Sequence, residues 1–212
     1  MSGDKYLAAL SFSDFYAQSH VRRWHTERVS REQSLAEHSH RVAFVAVKML
    51  YDYVASVQAD NLLGGTLPYK AVPELDRVEL GIHRYAMIHD VVESENSDVP
   101  SHIKAALRDD HGVDLNPIMH RMYWERRGFG GDDYDVDPLV KALVSLADTV
   151  DGMTFAHFHI PPGAVRDQVL KDWGKAFHSK LNKFEPLFGR KFLFKVVSDY
   201  YDSALHLDPA WA

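Results

Sequence analysis

The sequence predicts an all-α protein: a single-domain helical bundle with a helical extension at its C-terminal end. Three observations carry this. Apolar residues recur at helical spacing through most of the 212 residues, while the alternation expected of half-buried strands is poorly represented. Helix-start signals stand where those segments begin, as at Ser34 and Asp137-Pro138. A capping side chain satisfies an open N–H, and a first-turn proline has none to lose. No repeat or low-complexity tract divides the chain, and its length allows one domain with a sizeable core.

Residues 4–19 are expected to form a first helix, with Tyr6, Leu7, Leu10, Phe12, Phe15 and Tyr16 as its apolar side. His20-Val21-Arg22-Arg23-Trp24-His25 follows, basic and aromatic together, and then a polar loop to residue 34. A second helix is expected from Leu35 to about Gln58, with Ser34 and Glu37 in a capping box. Val42, Val45, Met49 and Tyr53 form its buried stripe, and His38, four residues before Val42, extends that stripe to the helix start. On position alone His38 is a core-edge histidine bonded to a neighbour.

After a loop over 59–72, Pro73 opens a third helix carrying Leu75, Val78, Leu80, Ile82, Met87 and Ile88. It ends in the doublet His89-Asp90, and Glu93 lies one turn beyond Asp90 on nearly the same face. Two short helices are expected over 101–110 and 115–127, the second ending in Arg121, Arg126 and Arg127. The glycine-rich loop over 128–135 lacks the Lys-Ser/Thr tail of a phosphate-binding P-loop. From Asp137-Pro138 another helix runs through Leu139, Val140, Leu143, Val144, Leu146, Ala147, Val150 and Met153, with Asp148 at its middle. Asp148 fits a solvent-facing side shared with Lys141 and Asp151. Because Asp148 and Asp151 are one turn apart, one of them could equally face inward. The tail, about 163–207, holds Trp173, Phe177, Leu181, Phe184, Leu187, Phe192, Phe194, Val197, Tyr200 and Leu205, which are assigned to packing helices.

Composition removes several function classes. The chain has no cysteine, so disulfides and thiolate metal sites are excluded and any metal must use its 13 histidines and its carboxylates. The net charge is −6, with no block of Lys and Arg, which argues against a stable nucleic-acid partner. No signal pattern opens the chain, and no apolar run nears the ~18 residues of a membrane span. A cytoplasmic protein with no membrane partner is expected.

What remains is a constellation: His38 at a helix start, His89-Asp90 at a helix end and Asp148 within a third helix. Two imidazoles and two carboxylates suit Mn²⁺, Co²⁺, Fe²⁺, Ni²⁺ or Zn²⁺, and the cofactor expected is a divalent ion of that set or Mg²⁺. Such an ion keeps positions open for water and a phosphate oxygen.

The ordered pattern H…HD…D resembles the HD-domain phosphohydrolases, an all-helical superfamily. It is similar above all to the 5′-deoxynucleotidases of the YfbR type. The motifs that carry the resemblance are Arg23-Trp24, Glu37-His38-Ser39, His89-Asp90-Val91-Val92-Glu93, Asp98-Val99-Pro100 with Lys104, and Ala147-Asp148. They span roughly residues 15–155. The stretch from His25 to Ala36 departs from the family pattern, and the loops 59–72 and 128–135 look lengthened or diverged.

The resemblance implies that His38, His89, Asp90 and Asp148 hold the metal. Glu93 would orient or deprotonate the attacking water, with Asp98 assisting near the leaving oxygen. Arg23 and Lys104 would clamp phosphate oxygens, and Trp24 would pack against the sugar and disfavour a 2′-hydroxyl. It further implies a nucleotide substrate and a homo-oligomer. The function expected is release of orthophosphate from a dNMP. Two alternatives stay open. Related small HD proteins of bacteriophages release triphosphate from dNTPs such as dATP, a reading that extra cations at Arg121, Arg126 or Arg127 would favour. An HD-fold nucleotide-binding protein without catalysis is the other.

Overall fold

The computed structural model describes residues 10, 12–23, 29–62, 72–96, 99, 101–128 and 136–203. The elements run α1 (Phe12–Gln18), β1 (Arg22–Arg23), β2 (Gln33–Ser34), α2 (Leu35–Leu62), α3 (Val72–Ile88), the single turn α4 (Glu93–Asn96), α5 (Ser101–His111) and α6 (Leu115–Glu125). Then come α7 (Pro138–His159), α8 (Ala164–Phe188), α9 (Arg190–Val196) and a π-helical end, Val197–Asp202. Tyr6, Leu7, Trp24, Asp98, Leu205 and the loop stretches 63–71 and 129–135 lie outside the described residues, as do the side chains of Phe12 and Phe15.

Helix α7 is the one the others pack round, touching α2, α3 and α8. Val140, Leu143, Val144, Leu146, Ala147, Met153 and Phe155 are all buried. A helix apolar on nearly every side has to sit in a core. Its start is set locally: Asp137 Oδ1 accepts from Leu139 N–H at 2.9 Å, and Pro138 fills the first turn. Where Trp173 of α8 crosses it, α7 carries Gly152. A Cβ there would stand 2.6 Å from the indole, so the crossing requires a residue without a side chain.

Helix α2 starts as its sequence suggests. Ser34 Oγ accepts from Glu37 N–H at 3.1 Å, and the Glu37 carboxylate accepts from Arg31 and Arg41. Val42 and Met49 are buried and Val45 and Tyr53 pack on the same core. The stretch expected as a plain loop instead contains a two-residue antiparallel ladder, Arg22 opposite Ser34 and Arg23 opposite Gln33. With Leu35 N–H donating to Val21 C=O at 3.0 Å, this ladder ties Arg23 to the start of α2.

The main core joins α2, α3, α7, α8 and α9. A second cluster of Leu10, Ile88, Val91, Val92, Met119, Tyr123 and Trp124 lies beside the end of α3, and Tyr85 packs against both. Some expected core residues face solvent: Tyr16, Leu80, Met87, Leu187 and Phe194 are exposed. In α3 the buried stripe is Val78, Ile82, Ala86 and Ile88. Leu80 and Met87, seven residues apart, share the opposite side. In α9 the inward side is Phe192, Leu193 and Val196, which turns Phe194 outward. Among the described residues no helix is long and apolar enough to cross a membrane.

Candidate metal centre

The helix packing brings the first turn of α2, the end of α3 and the middle of α7 to one place. One ligand atom from each of His38, His89, Asp90 and Asp148 lies within 4.8 Å of the others. His38 is fully buried. Its Nε2 stands 3.4 Å from Asp90 Oδ2 and 3.3 Å from Asp148 Oδ1, and His89 Nε2 stands 3.4 Å from Asp90 Oδ2.

The other nitrogen of each ring fixes what these atoms can do. His89 Nδ1 lies 2.7 Å from the carbonyl oxygen of Ala86. A carbonyl only accepts, so Nδ1 carries the proton and the Nε2 lone pair of the neutral ring points into the site. His38 Nδ1 donates in the same way to Asp151 Oδ2 at 2.7 Å. Both Nε2 atoms are buried, and among the described residues neither has a hydrogen-bond partner. Buried polar atoms are seldom left so. Two converging lone pairs between two carboxylates are the surroundings a divalent cation needs, and the residues present fit one.

Titration behaviour agrees. Burial and the Arg23 guanidinium both push the His38 pKa down, but Asp148, Asp151 and Asp90 overcome them and carry it up to about 10. Burial raises the Asp148 carboxyl, yet Lys180 and His38 outweigh it and hold it well below the usual carboxylate range. For Asp90 burial is likewise outweighed, by His89, His38 and Arg23. The carboxylates thus hold a positive charge at His38 when nothing else supplies one.

The surrounding residues are arranged in layers. Glu93, in the turn after the doublet, is buried, and its Oε1 accepts from Lys104 Nζ at 2.9 Å. Arg23 is buried with Nη1 3.7 Å from Asp90 Oδ2. Arg126 and Arg127 are engaged in ion pairs. Both bond Glu95, at 3.1 and 2.9 Å, and Arg127 also bonds Asp14. Arg121 is exposed.

Four further residues at the site were not assigned to it from sequence. Asp151 is buried and accepts from His38, from Gln33 Nε2 at 2.9 Å and from Arg41 Nε at 2.8 Å. The reading that one of Asp148 and Asp151 faces inward is therefore extended: both do, one toward the ligand cluster and one behind His38. Lys180 of α8 reaches Asp148 Oδ2 at 3.4 Å, so the tail contributes more than packing. Tyr85 has its phenol pushed up to about 12 by burial and then by the charges of Asp90 and Asp148. Burial lowers the pKa of His120 on α6, against the pull of Asp90. The Asp148–Asp151 spacing was a usable signal for Asp151. Lys180 had none, being 32 residues from its partner.

No family model matches the sequence, and no curated protein matches it. Among solved structures, the chain is similar to the HD phosphohydrolase DatZ of cyanophage S-2L, bound to dA and one catalytic Zn²⁺ ion. The TM-score is 0.63 at 14% identity, over 92% of this chain and 96% of that one. The likeness shows the fold: the chain has the all-α HD-domain architecture.

Proposed function

We propose that the chain is a metal-dependent phosphohydrolase that releases orthophosphate from deoxynucleoside 5′-monophosphates. The observation that carries the reading is the pair of buried Nε2 atoms of His38 and His89, without a hydrogen-bond partner among the described residues, gathered with Asp90 and Asp148 within an HD-type fold. A divalent ion held by these four residues supplies Lewis acidity, making a bound water more acidic and polarising a phosphoryl oxygen.

The chain's own residues do the rest. Glu93 receives the proton of the attacking water, and Lys104, read with Arg23 as a clamp on phosphate oxygens, also orients the Glu93 carboxylate through its bond to Oε1. Arg23, held by the β1–β2 ladder, meets the negative charge that gathers on the phosphoryl oxygens in the transition state. Trp24 against the sugar and Asp98 near the leaving oxygen complete the assignment. The cyanophage structure holds dA, which supports a deoxynucleoside as the organic part of the substrate. Arg126 and Arg127 are paired with Glu95 and Asp14, and a monophosphate is the substrate that makes no demand on these cations. The protein is further read as cytoplasmic and as a homo-oligomer; sedimentation of the purified chain tests the second, and fractionation of cells the first.

The deciding experiment is a panel of dNMPs, NMPs and dNTPs assayed with Co²⁺, Mn²⁺, Zn²⁺, Ni²⁺ and Mg²⁺, with product identification. Orthophosphate from dNMPs is expected. Triphosphate from a dNTP would replace this reading with a triphosphohydrolase, and binding without turnover would replace it with a nucleotide-binding protein. Full activity in metal-free protein would remove the mechanism.

A further inference from the structure

Helix α8 sends one cation, Lys180, toward the centre. Lys180 Nζ donates to Ser145 C=O at 2.8 Å and to Thr149 Oγ1 at 2.6 Å, and meets Asp148 Oδ2 at 3.4 Å. An ammonium has three protons, so these three contacts account for all of them. The two oxygens of Asp148 are thereby distinguished. Oδ2 is turned to the ammonium, and Oδ1 lies 3.3 Å from His38 Nε2. Thr149 is buried, and its hydroxyl donates to Ser145 C=O at 3.2 Å, which fixes the cradle in which the ammonium sits.

We propose that Lys180 is a positioning residue for Asp148: it occupies Oδ2 so that a single oxygen, Oδ1, faces the metal. Its charge also offsets part of the −2 of Asp90 and Asp148, which leaves a bound ion more electron-poor and its water more acidic. The inference rests on the metal-dependent reading given above, and it concerns how one ligand of that site is aimed.

The test uses the full chain loaded with Co²⁺, whose visible absorption weakens as coordination number rises. Lys180→Met removes the ammonium and keeps the aliphatic stem. Asp148 is then free to bind through both oxygens. Weaker visible bands are expected, with kcat/KM on a dNMP down about 10–100-fold, the usual effect of losing a partner of a metal ligand. Lys180→Arg should restore most of both. Thr149→Val, which removes one anchor and leaves the charge, should weaken the bands by a smaller amount. A Lys180→Met protein with the wild-type Co²⁺ spectrum overturns the proposal, even if its melting temperature falls, because that is the mark of a lysine that only packs α8 on α7. An altered spectrum in a protein that hydrolyses no nucleotide sustains the role of Lys180 and rejects the hydrolase reading. A wild-type chain that takes up no Co²⁺ overturns both.

Discussion

Replacing Asp151 with asparagine separates holding the fold from aiming a ligand. The carboxylate is buried and accepts from His38 Nδ1 at 2.7 Å, Gln33 Nε2 at 2.9 Å and Arg41 Nε at 2.8 Å. An amide of the same shape has one accepting oxygen. Its NH₂ must therefore face a donor, either His38 Nδ1–H or Arg41 Nε–H. At least one charge-assisted bond is lost, about 1.5–3 kcal/mol. Arg41 is partly exposed and has Glu37 as a second partner, so the lower half of that range applies, roughly 2 kcal/mol. For a chain of this size that lowers the melting temperature of metal-free protein by roughly 4–8 °C. The second effect is on the ion. Where the NH₂ faces His38 the ring is no longer held with its proton on Nδ1, and where the amide oxygen faces it that acceptor is neutral and weaker than the carboxylate, so in either orientation metal affinity should fall, by about 10–100-fold. Competition against a chelating indicator measures that affinity, and melting of the metal-free protein measures the first effect. Asp151→Asn protein that melts lower yet binds Co²⁺ as tightly as wild type would refute the reasoning, leaving Asp151 as a buried structural acceptor.

The other predictions concern the base, the core and the surface. Glu93→Gln keeps an oxygen for Lys104 but cannot take a proton, so kcat should fall about 10²–10⁴-fold, with Co²⁺ affinity unchanged in a direct titration. Gly152→Val forces three carbons into the Trp173 contact and should cost about 3 kcal/mol of overpacking, read as a drop in urea midpoint at constant m-value. Asp52 accepts from Lys48 Nζ at 2.7 Å and from the Tyr200 hydroxyl. Burial raises its carboxyl, but these two donors outweigh it and bring the pKa below the usual value. A lowered carboxylate pKa stabilises above the unfolded value and is lost as pH falls through the folded one. The stability gap between wild type and Asp52→Asn should thus be about 1 kcal/mol at pH 6, Lys48 being exposed. It should shrink as the pH drops below about 4 in parallel denaturant titrations. A gap that does not depend on pH would contradict the ion-pair account.

The parts of the site legible in sequence were legible for two reasons. His38 and His89-Asp90 are polar residues placed where helical periodicity puts core, so each stands out against its own neighbours, whereas Asp148 fits a solvent-facing side and was marked only by the resemblance at Ala147-Asp148. The structure brings all four together. Their supporting partners have no such local mark. Lys180 lies on a helix whose sequence resembles any amphipathic surface, and its role depends on α8 crossing α7 beside Asp148. His120 is similar: its neighbours Met119 and Tyr123 are core residues, and only the packing of α6 near the end of α3 brings it to the site. The same limit explains the exposed Leu80 and Met87. Periodicity gives the stripes of a helix, but which stripe faces inward is decided by the helices that cover it. The β1–β2 ladder was hidden for another reason. Two residues are too few to show an alternating pattern.

Helix α7 has a consequence for how variants of this protein should be classified. One element supplies Asp148, holds His38 through Asp151, anchors Lys180 through Ser145 and Thr149, and forms the centre of the apolar core. A genetic screen for inactive mutants will therefore recover Leu143, Val144 or Phe155 alongside the ionisable residues, with loss of folding and loss of chemistry sharing one phenotype. Helix α5 behaves differently: none of its described residues belongs to either buried cluster, while its Lys104 bonds Glu93. Variants there separate loss of chemistry from loss of folding, a separation that α7 does not allow.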